Sequence, residues 1–426
     1  MDITINPTFD QLKKLFERNI PVDDTQVDES VRNIINDVRA HGDEALRRLA
    51  LRFDRAELSE LEVPTSRCRE AVEKLDKEVL DAMRQAAANI EAFHRAQLVQ
   101  PIEVETVPGV TCVQRQVPIP RVGLYIPGGR APLFSTVLML AIPARLAGCR
   151  EVVLCTPAGE GGHIAPEILA AASICGVDRV FAVGGAQAIA AMAYGTESIP
   201  RVNKIFGPGN RYVTKAKQLV SISTAIDMPA GPSEVMVIAD DRANPAFVAA
   251  DLLSQAEHGP DSQSVLLCLS QEFAAKVMEQ IDILRKQLHR SECIDSSLSK
   301  SHIIVLPDEK AMIDAANMYA PEHLIIAMGN AHDVAKYTTE AGSVFIGDYA
   351  PESAGDYASG TNHTLPTGGW AAALSGVNTD SFMRRVTYQT LSRQGLESLA
   401  PVITTMARAE GLDAHALAVT IRIKND

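Results

Sequence analysis

The segment Arg121-Val-Gly-Leu-Tyr-Ile126 is apolar along almost its whole length and is followed directly by Pro127-Gly128-Gly129. An apolar run of this length that ends in turn residues is typical of a strand buried on both faces of a parallel sheet. Four more such runs follow, separated by alanine-rich stretches with helical spacing, at residues 151–155, 179–183, 203–206 and 234–239. This alternation predicts successive βαβ units and therefore a parallel sheet.

A second alternating region lies further along the chain. Apolar runs at 262–269, 302–306, 324–328 and 343–346 predict more strands. Residues 1 to about 100, and those after Ser381, have helical spacing instead. We therefore predict an α/β protein with two Rossmann-like parallel-sheet domains and small helical extensions at the N- and C-termini.

Size and composition narrow the class of protein. The chain has 426 residues, of which 46% are hydrophobic and 22% charged, as expected for a globular protein of two or more domains. The 53 acidic residues outnumber the 40 basic ones, which gives a net charge of −13. Because no basic block offsets this charge, neither nucleic acid nor an anionic membrane is the expected partner.

Cysteine usage and the N-terminus predict a cytoplasmic location. The seven cysteines are far apart and include no Cys-x-x-Cys pair, which favours reduced thiols. The first residues lack a basic region followed by an apolar run, so we expect no secretory signal. The most apolar stretch, residues 133–149, is interrupted by Ser135, Pro143 and Arg145 and is too short to cross a bilayer.

Glycine-rich turns follow several of the predicted strands, at residues 127–129, 184–187 and 207–210. In open parallel sheets, ligands bind beyond the carboxyl ends of the strands, where helix N-termini favour phosphate. None of these turns is Gly-x-Gly-x-x-Gly, and no Walker lysine follows. A nucleotide site and a set of tight turns that need glycine for packing both explain them.

Histidines paired with acidic or amide side chains recur along the chain. Residues 351–366, which include Asp356 and His363, are rich in small residues and are predicted to form a loop. Gln255 and His258 are three residues apart near the end of a predicted helix, so their side chains would project from one face. From this segment alone, a solvated polar stripe whose last histidine lies at the negative end of the helix is the favoured explanation.

Two further pairs have the same character. Glu322-His323 precedes a predicted strand, where histidine would suit a general base and the neighbouring glutamate could activate water. Taken alone, such a pair is more often an exposed entrance to a strand. Glu410 and His415 belong to the helical C-terminal segment, where a surface position is the default expectation. Ser233, just before a strand, could cap backbone groups or bind the polar end of a substrate. The number of such pairs favours a metal-assisted enzyme.

Taken together, these residues resemble the histidinol dehydrogenase family over essentially the whole chain. The most specific matches are five motifs in order: Ala225-Ile-Asp-Met-Pro-Ala-Gly-Pro-Ser-Glu-Val235, Ser254-Gln-Ala-Glu-His-Gly259, Ala320-Pro-Glu-His-Leu324, Glu352-Ser-Ala-Gly-Asp-Tyr-Ala-Ser-Gly-Thr-Asn-His363 and Glu410-Gly-Leu-Asp-Ala-His415. The resemblance implies a zinc-dependent, NAD-linked oxidation of L-histidinol, through the aldehyde, to L-histidine.

The resemblance also implies a role for each matched position. His323 would be the general base, and Glu322 would help water to add in the second oxidation. The zinc ligands would be Gln255, His258, Asp356 and His415. The substrate would contact these four residues together with Ser233, His323, His363 and Glu410. NAD would contact Tyr125, Gln187 and Asn210.

Relatives of this kind are homodimers in which the C-terminal tail completes the partner's site, so the resemblance implies the same here. The domains expected are a helical extension (1–24), a discontinuous α/β domain (25–120 and 240–381), an NAD-binding α/β domain (121–239) and a shared tail (382–426). Alternatives are a dehydrogenase of another small primary alcohol, a zinc hydrolase with Glu322 activating water, and a metal-binding or assembly protein without activity.

Overall fold

The computed structural model describes residues 1–18, 25–128, 132–228 and 231–424. Gly129 of the first predicted glycine turn and residues 229–230 of the first motif lie outside the described residues, as do the ends of two predicted domains, 19–24 and 425–426.

Within the described ranges, the strands are β1 (Asp2–Ile5), β2 (Glu62–Val63), β3 (Ile102–Val107), β4 (Val110–Pro118), β5 (Arg121–Tyr125), β6 (Glu151–Cys155), β7 (Arg179–Phe181), β8 (Lys204–Phe206), β9 (Ala225–Ile226), β10 (Glu234–Ala239), β11 (Gln263–Cys268), β12 (His302–Val305), β13 (His323–Ala327), β14 (Ser343–Ile346) and β15 (Met383–Leu391).

The helices in the same ranges are α1 (Phe9–Leu15), α2 (Thr25–Asp54), α3 (Thr65–Lys74), α4 (Lys77–Arg95), α5 (Phe134–Ala147), α6 (Pro166–Ile174), α7 (Gly185–Tyr194), α8 (Arg211–Val220), α9 (Pro245–Ala256), α10 (Gln271–Leu284), α11 (Ser291–Leu298), α12 (Glu309–Tyr319), α13 (Ala331–Val334), α14 (Glu352–Tyr357), α15 (Arg393–Ala409) and α16 (Asp413–Lys424).

Two six-stranded sheets form the body of the protein, which confirms the predicted fold class. One sheet has the order β2-β7-β6-β5-β8-β9 and is parallel except for its edge strand β2. The other has the order β1-β12-β11-β10-β13-β14 and is parallel throughout. We call them the β5 sheet and the β10 sheet. Helices cover both faces of each, so the central strands are buried, as their continuous apolar runs predict.

Some segments join a different sheet from the one expected. Glu234–Ala239, predicted as the last strand of the β5 sheet, lies in the middle of the β10 sheet between β11 and β13. Helices α2, α3 and α4, assigned by sequence to the same domain as the later strands, pack instead on α5, α6, α7 and α8 of the β5 sheet. An apolar run or stripe shows that a face is buried, but not which surface buries it. The division into domains stays a prediction.

Three local predictions were wrong. Within residues 1 to about 100, which were expected to be helical, Asp2–Ile5 forms the edge strand β1 and Glu62–Val63 the edge strand β2. Residues 383–391 were expected to be helical, yet they form β15, which pairs antiparallel with β4 in a third sheet of order β15-β4-β3. Val386 and Leu391 fit helical spacing by chance, because β15 is largely exposed and has no apolar alternation to identify it. Glu352–Tyr357 was expected to be loop but forms the short helix α14, which begins after Pro351.

The C-terminal segment extends from this third sheet. Helices α15 and α16 pack on each other and on β15, and make no extensive contact with either six-stranded sheet within the described residues. Several of their apolar side chains are consequently exposed: Val402, Met406, Leu412, Leu417 and Ile421.

Candidate active site

The first part of the site lies where β10 and β13 begin. Strand β13 starts at His323, which pairs in register with Val235 of β10. One residue earlier on both strands, the backbone N–H of Glu234 donates a 2.9 Å hydrogen bond to Oε2 of Glu322. Glu322 and His323 are almost completely buried, with 5% and 3% exposure. The predicted loop-to-strand junction is confirmed, and it places both side chains inside the protein.

Helix α9 supplies the second part. Asn244 caps its N-terminus through its side chain, Pro245 is its first residue, and it ends at Ala256, two residues before His258. Gln255 has no exposed surface, and neither atom of its amide has a hydrogen-bond partner in the part of the chain that the structure describes. A buried amide without partners is costly, so this side chain is suited to a ligand.

Helix α14 and the residues after it supply the third part. Asp356 lies on α14, and its Oδ2 is 3.8 Å from Nε2 of His258 while its Oδ1 is 3.7 Å from Nε2 of His323. The backbone carbonyl of Asp356 is 3.0 Å from Nδ1 of His363. The 351–366 segment therefore joins the other two parts, and His258, His323, Asp356 and His363 form one cluster.

Glu352 was not among the candidates from sequence, although it stands in one of the quoted motifs. Its Oε1 lies 3.3 Å from Nδ1 of His323, and the side chain is 1% exposed. Its position one turn before Asp356 on α14 would have indicated a shared face, but residues 351–366 were predicted to be loop.

The donor atoms of this cluster fit a metal ion. One ligand atom each from His258, Glu352 and Asp356 lie within 4.8 Å of one another. Burial raises the pKa of Asp356 to about 7 and holds the pKa values of Glu322 and Glu352 well above their usual range. Buried carboxylates grouped in this way need a positive charge, which a divalent cation would supply. Nitrogen and oxygen donors without a thiolate suit an open zinc site.

The two histidines that face this cluster are held neutral by burial. Burial, assisted by the nearby His258, lowers the pKa of His323 to about 3, and burial lowers the pKa of His363 to about 4. A neutral imidazole has one nitrogen lone pair, so His323 can accept a proton.

A separate cavity of about 1360 Å³ lies beyond the carboxyl end of β5. It is lined by Tyr125, Gln187 and Asn210, the three predicted NAD contacts, together with residues of α2 such as Asp54. The Tyr125 hydroxyl accepts a 3.1 Å hydrogen bond from the backbone N–H of Gly185, at the start of α7. The size and the helix N-terminus suit a dinucleotide.

Two predicted site residues lie apart from the cluster, and a third is near its edge. Glu410 follows α15 and His415 is on α16, and both are exposed on the tail. Within the described residues of one chain, no contact joins either of them to His258 or Asp356. Ser233 is partly buried and directly precedes Glu234, the residue that hydrogen-bonds Glu322.

No helix among the described residues is both long and apolar enough to span a membrane.

Comparisons with known proteins give one consistent result. A family model described as histidinol dehydrogenase matches residues 18–423. The chain is 54% identical over 397 residues to a histidinol dehydrogenase of Bacteroides fragilis (strain YCH46), covering 93% of each chain. It is 52% identical over 419 residues to that of Escherichia coli (strain K12), covering 98% of this chain and 96% of the relative. A crystal structure of histidinol dehydrogenase from Elizabethkingia anophelis matches with a TM-score of 0.96 and 47% identity, covering 100% of this chain and 98% of that one.

Proposed function

The chain belongs to the histidinol dehydrogenase family, and from this membership we propose that the His258–Asp356–His323 cluster is the site where it oxidises L-histidinol. The family is zinc-dependent and NAD-linked, and its reaction is a step of histidine biosynthesis. The overall reaction consumes one L-histidinol, one water and two NAD⁺, and yields L-histidine, two NADH and protons. The observation that carries the assignment is the convergence of three segments distant in sequence on one cluster, in which His323 and Asp356 are buried and His258 lies exposed at the edge.

Gln255, His258 and Asp356 would hold the zinc within one chain. The unpartnered amide of Gln255 and the approach of His258 to Asp356 support this role. When bound, zinc would supply positive charge and fix the orientation of the substrate's imidazole and amine. Ser233 and His363 would contact the remaining polar groups of the substrate.

His323 would remove the alcohol proton in the first oxidation as hydride leaves the carbinol carbon. Its position supports a general base, because Nε2 lies 3.7 Å from Oδ1 of Asp356, a ligand of the proposed zinc. Glu322 would help water to add to the aldehyde before the second hydride transfer. Its place beside His323, with one oxygen held by the backbone of Glu234, supports this role.

The cavity beyond β5 would bind NAD through Tyr125, Gln187 and Asn210. Asn210 also caps α8 by accepting from the backbone N–H groups of Tyr212 and Val213, so its side chain is held at the cavity wall. The N-terminus of α7, where Gly185 lies, would favour the negative charge of a pyrophosphate.

The active form would be a homodimer in which Glu410 and His415 of one chain complete the site of the other. Both residues are exposed, and the tail that carries them leaves a row of apolar side chains uncovered. A second copy would cover that surface and bring His415 to the zinc. A mixed dimer of a His415→Ala chain and a His323→Ala chain should regain about one working site. No activity in that mixture would contradict tail sharing.

We assign the enzyme to the cytoplasm. The seven cysteines are all free, and five are buried, as expected where thiols stay reduced.

The decisive experiment is the yield of NADH from limiting L-histidinol with the purified, zinc-loaded protein. Two NADH per histidinol, lost on chelation and restored by zinc, is the expected result. One NADH would mean that the aldehyde escapes, which would contradict the role of Glu322. If the protein produced no NADH from histidinol but oxidised another small primary alcohol, the proposed substrate would be wrong. The proposed location of the site would still stand.

A further inference from the structure

We propose that Glu352 is a positioning residue for His323: it accepts the Nδ1–H of the imidazole and so leaves Nε2 as the nitrogen that takes the substrate's proton. This inference rests on the proposed function of His323 as the general base. It adds a residue that the sequence analysis did not select, and it specifies which nitrogen of His323 reacts.

The ring of His323 lies between two carboxylates of the same helix. Oε1 of Glu352 is 3.3 Å from Nδ1, and Oδ1 of Asp356 is 3.7 Å from Nε2. Because the two acidic residues are four apart on α14, both project from one face and border opposite sides of the ring. The Nε2 side also faces the zinc-binding group, since Asp356 is 3.8 Å from His258.

Glu322 is one competing acceptor for Nδ1, and it is less well placed. The backbone carbonyl of Glu234 also faces the ring, but neither ring nitrogen forms a hydrogen bond with it within the described ranges. Oε2 of Glu322 is 3.8 Å from Nδ1, and this same oxygen already accepts the backbone N–H of Glu234 at 2.9 Å. By contrast, neither oxygen of Glu352 has a hydrogen-bond partner among the described residues. Glu352 is therefore the nearer acceptor and has its full accepting capacity free.

Burial makes this pairing energetically important. Glu352 is 1% exposed and His323 is 3% exposed, and neither ring nitrogen of His323 has a hydrogen bond in the part of the chain that the structure describes. A buried polar group without a hydrogen bond destabilises the folded state, and more so when the group is charged. The 3.3 Å separation is long for a hydrogen bond, but a small rotation of either side chain would align the Nδ1–H with Oε1. Hydrogen bonds of this kind often tighten when substrate binds.

The packing of α14 holds Glu352 in this place. Gly355 lies against the ring of Phe345 on β14, where an added Cβ would be 2.7 Å from the ring carbons. The Phe345 ring is in turn 6.0 Å from that of His323, centroid to centroid. Glycine at this position allows the helix to come close enough for Glu352 to reach the imidazole.

The alternative role for Glu352 is that of a metal ligand, because one of its oxygens lies within 4.8 Å of ligand atoms of His258 and Asp356. The two roles predict different results. A metal ligand would lower zinc content when replaced, whereas a positioning residue would leave zinc bound and change the proton position on His323.

The test compares zinc-loaded wild type with Glu352→Gln and Glu352→Ala. We expect Glu352→Ala to retain the wild-type zinc content and a KM for histidinol within about threefold, while kcat falls by about 10- to 100-fold. Glu352→Gln should retain more activity, because its amide oxygen still accepts from Nδ1. The control is Asp251→Asn, which removes a neighbouring partly buried carboxylate; its kcat should stay within about twofold.

Nitrogen NMR of histidine-labelled protein gives a reading that does not depend on turnover. The His323 signals, assigned by their absence in His323→Gln, should report a proton on Nδ1 in the wild type and a mixture of tautomers in Glu352→Ala. Zinc loss in both Glu352 variants, or an unchanged kcat, would overturn the proposal. If the wild-type protein produced no NADH from histidinol, the proposed function would be wrong. The NMR measurement of the His323 tautomer would still test separately whether Glu352 positions the imidazole.

Discussion

The hydroxyl of Thr136 lies 3.3 Å from Nε2 of His363, and this contact joins the two halves of the protein at the proposed active site. Thr136 is in the first turn of α5, which covers the β5 sheet, whereas His363 follows α14 on the side of the β10 sheet. Because Nδ1 of His363 is 3.0 Å from the backbone carbonyl of Asp356, the ring would donate there and accept from the threonine. The neighbouring Asn362 donates to the backbone carbonyl of Met139, also on α5.

Replacing Thr136 with valine should weaken substrate binding. Valine keeps the shape but removes the donor to Nε2, so the orientation of His363 would no longer be fixed. We expect KM for histidinol to rise by about 5- to 10-fold, the equivalent of about 1–1.5 kcal/mol for one hydrogen bond, with KM for NAD unchanged. Thr136→Ser, which keeps the hydroxyl, should stay near wild type; equal effects of the two substitutions would contradict this account.

Removing the metal should destabilise the protein. Zinc bound only by the folded state adds stability by mass action, and its loss would leave buried carboxylates and the amide of Gln255 without a partner. We expect chelation to lower the Tm measured by calorimetry, and zinc to restore it. Gln255→Leu removes the unsatisfied amide, so its metal-free form should have a higher Tm than metal-free wild type, while its zinc content should be lower. A Tm unaffected by chelation would contradict a metal at this position.

Replacing Lys217 with methionine should cause a large loss of stability. Lys217 on α8 forms an ion pair with Asp227, and their side chains are only 4% and 1% exposed. Its Nζ also donates to the carbonyl of Gly207 at 2.8 Å. Leaving Asp227 buried without this partner should cost about 3–5 kcal/mol in the free energy of unfolding.

The control for this experiment is Lys215→Met on the same helix. Lys215 pairs with Asp28 at 3.4 Å, and both side chains are more than a quarter exposed. Urea denaturation of this variant should show a loss below about 1 kcal/mol. Similar losses of stability in Lys217→Met and Lys215→Met would contradict the view that burial makes the Lys217–Asp227 pair important.

Substituting Asp54 should stabilise the protein at neutral pH. Burial raises the pKa of Asp54 to about 6, compared with about 4 in an unfolded chain. Between these values the folded state binds more protons than the unfolded state, so this residue lowers stability as pH rises from about 4 to 6. The stability gained in Asp54→Asn should therefore grow over that range and stay constant above it.

Asp37→Asn should change the free energy of unfolding in the opposite direction. The hydrogen bond from Arg48 lowers the pKa of Asp37, so its charged form stabilises the folded state and this contribution is lost as pH falls below about 4. Urea denaturation at pH 7 without NAD should show that Asp37→Asn is less stable than the wild type, whereas Asp54→Asn is more stable. An increase in the stability of both variants at pH 7 would contradict the opposite pKa shifts of Asp54 and Asp37.

Placing a charge on the exposed face of the tail should disrupt the proposed dimer. Leu417 on α16 is 61% exposed in the single chain, and the proposed dimer would bury it. We expect Leu417→Asp to give monomers in analytical ultracentrifugation and to lose most activity, because His415 would no longer reach the partner's zinc. The control is Ile222→Asp, since Ile222 is 96% exposed on a turn far from the tail in sequence. A fully active Leu417→Asp monomer would contradict tail sharing.

The sequence by itself determined most strands of the two parallel sheets and predicted the chemistry of most of the proposed site. A strand buried on both faces must be apolar throughout, and a turn after it needs glycine or proline, so 121–126 and 324–328 were recognisable without any partner. The family motifs supplied the roles of His258, His323 and Asp356. Both kinds of information depend on which residues stand next to one another in the chain.

Only the tertiary structure decided which surfaces meet. It placed Glu234–Ala239 between β11 and β13, moved α2, α3 and α4 onto the β5 sheet, and made 383–391 a strand against β4. It also brought Glu352 to His323 and Thr136 to His363, the latter pair 227 residues apart. The physical reason is that local periodicity records how much of a segment is buried, while the choice of neighbour depends on the fit of distant surfaces, which no short stretch of sequence contains.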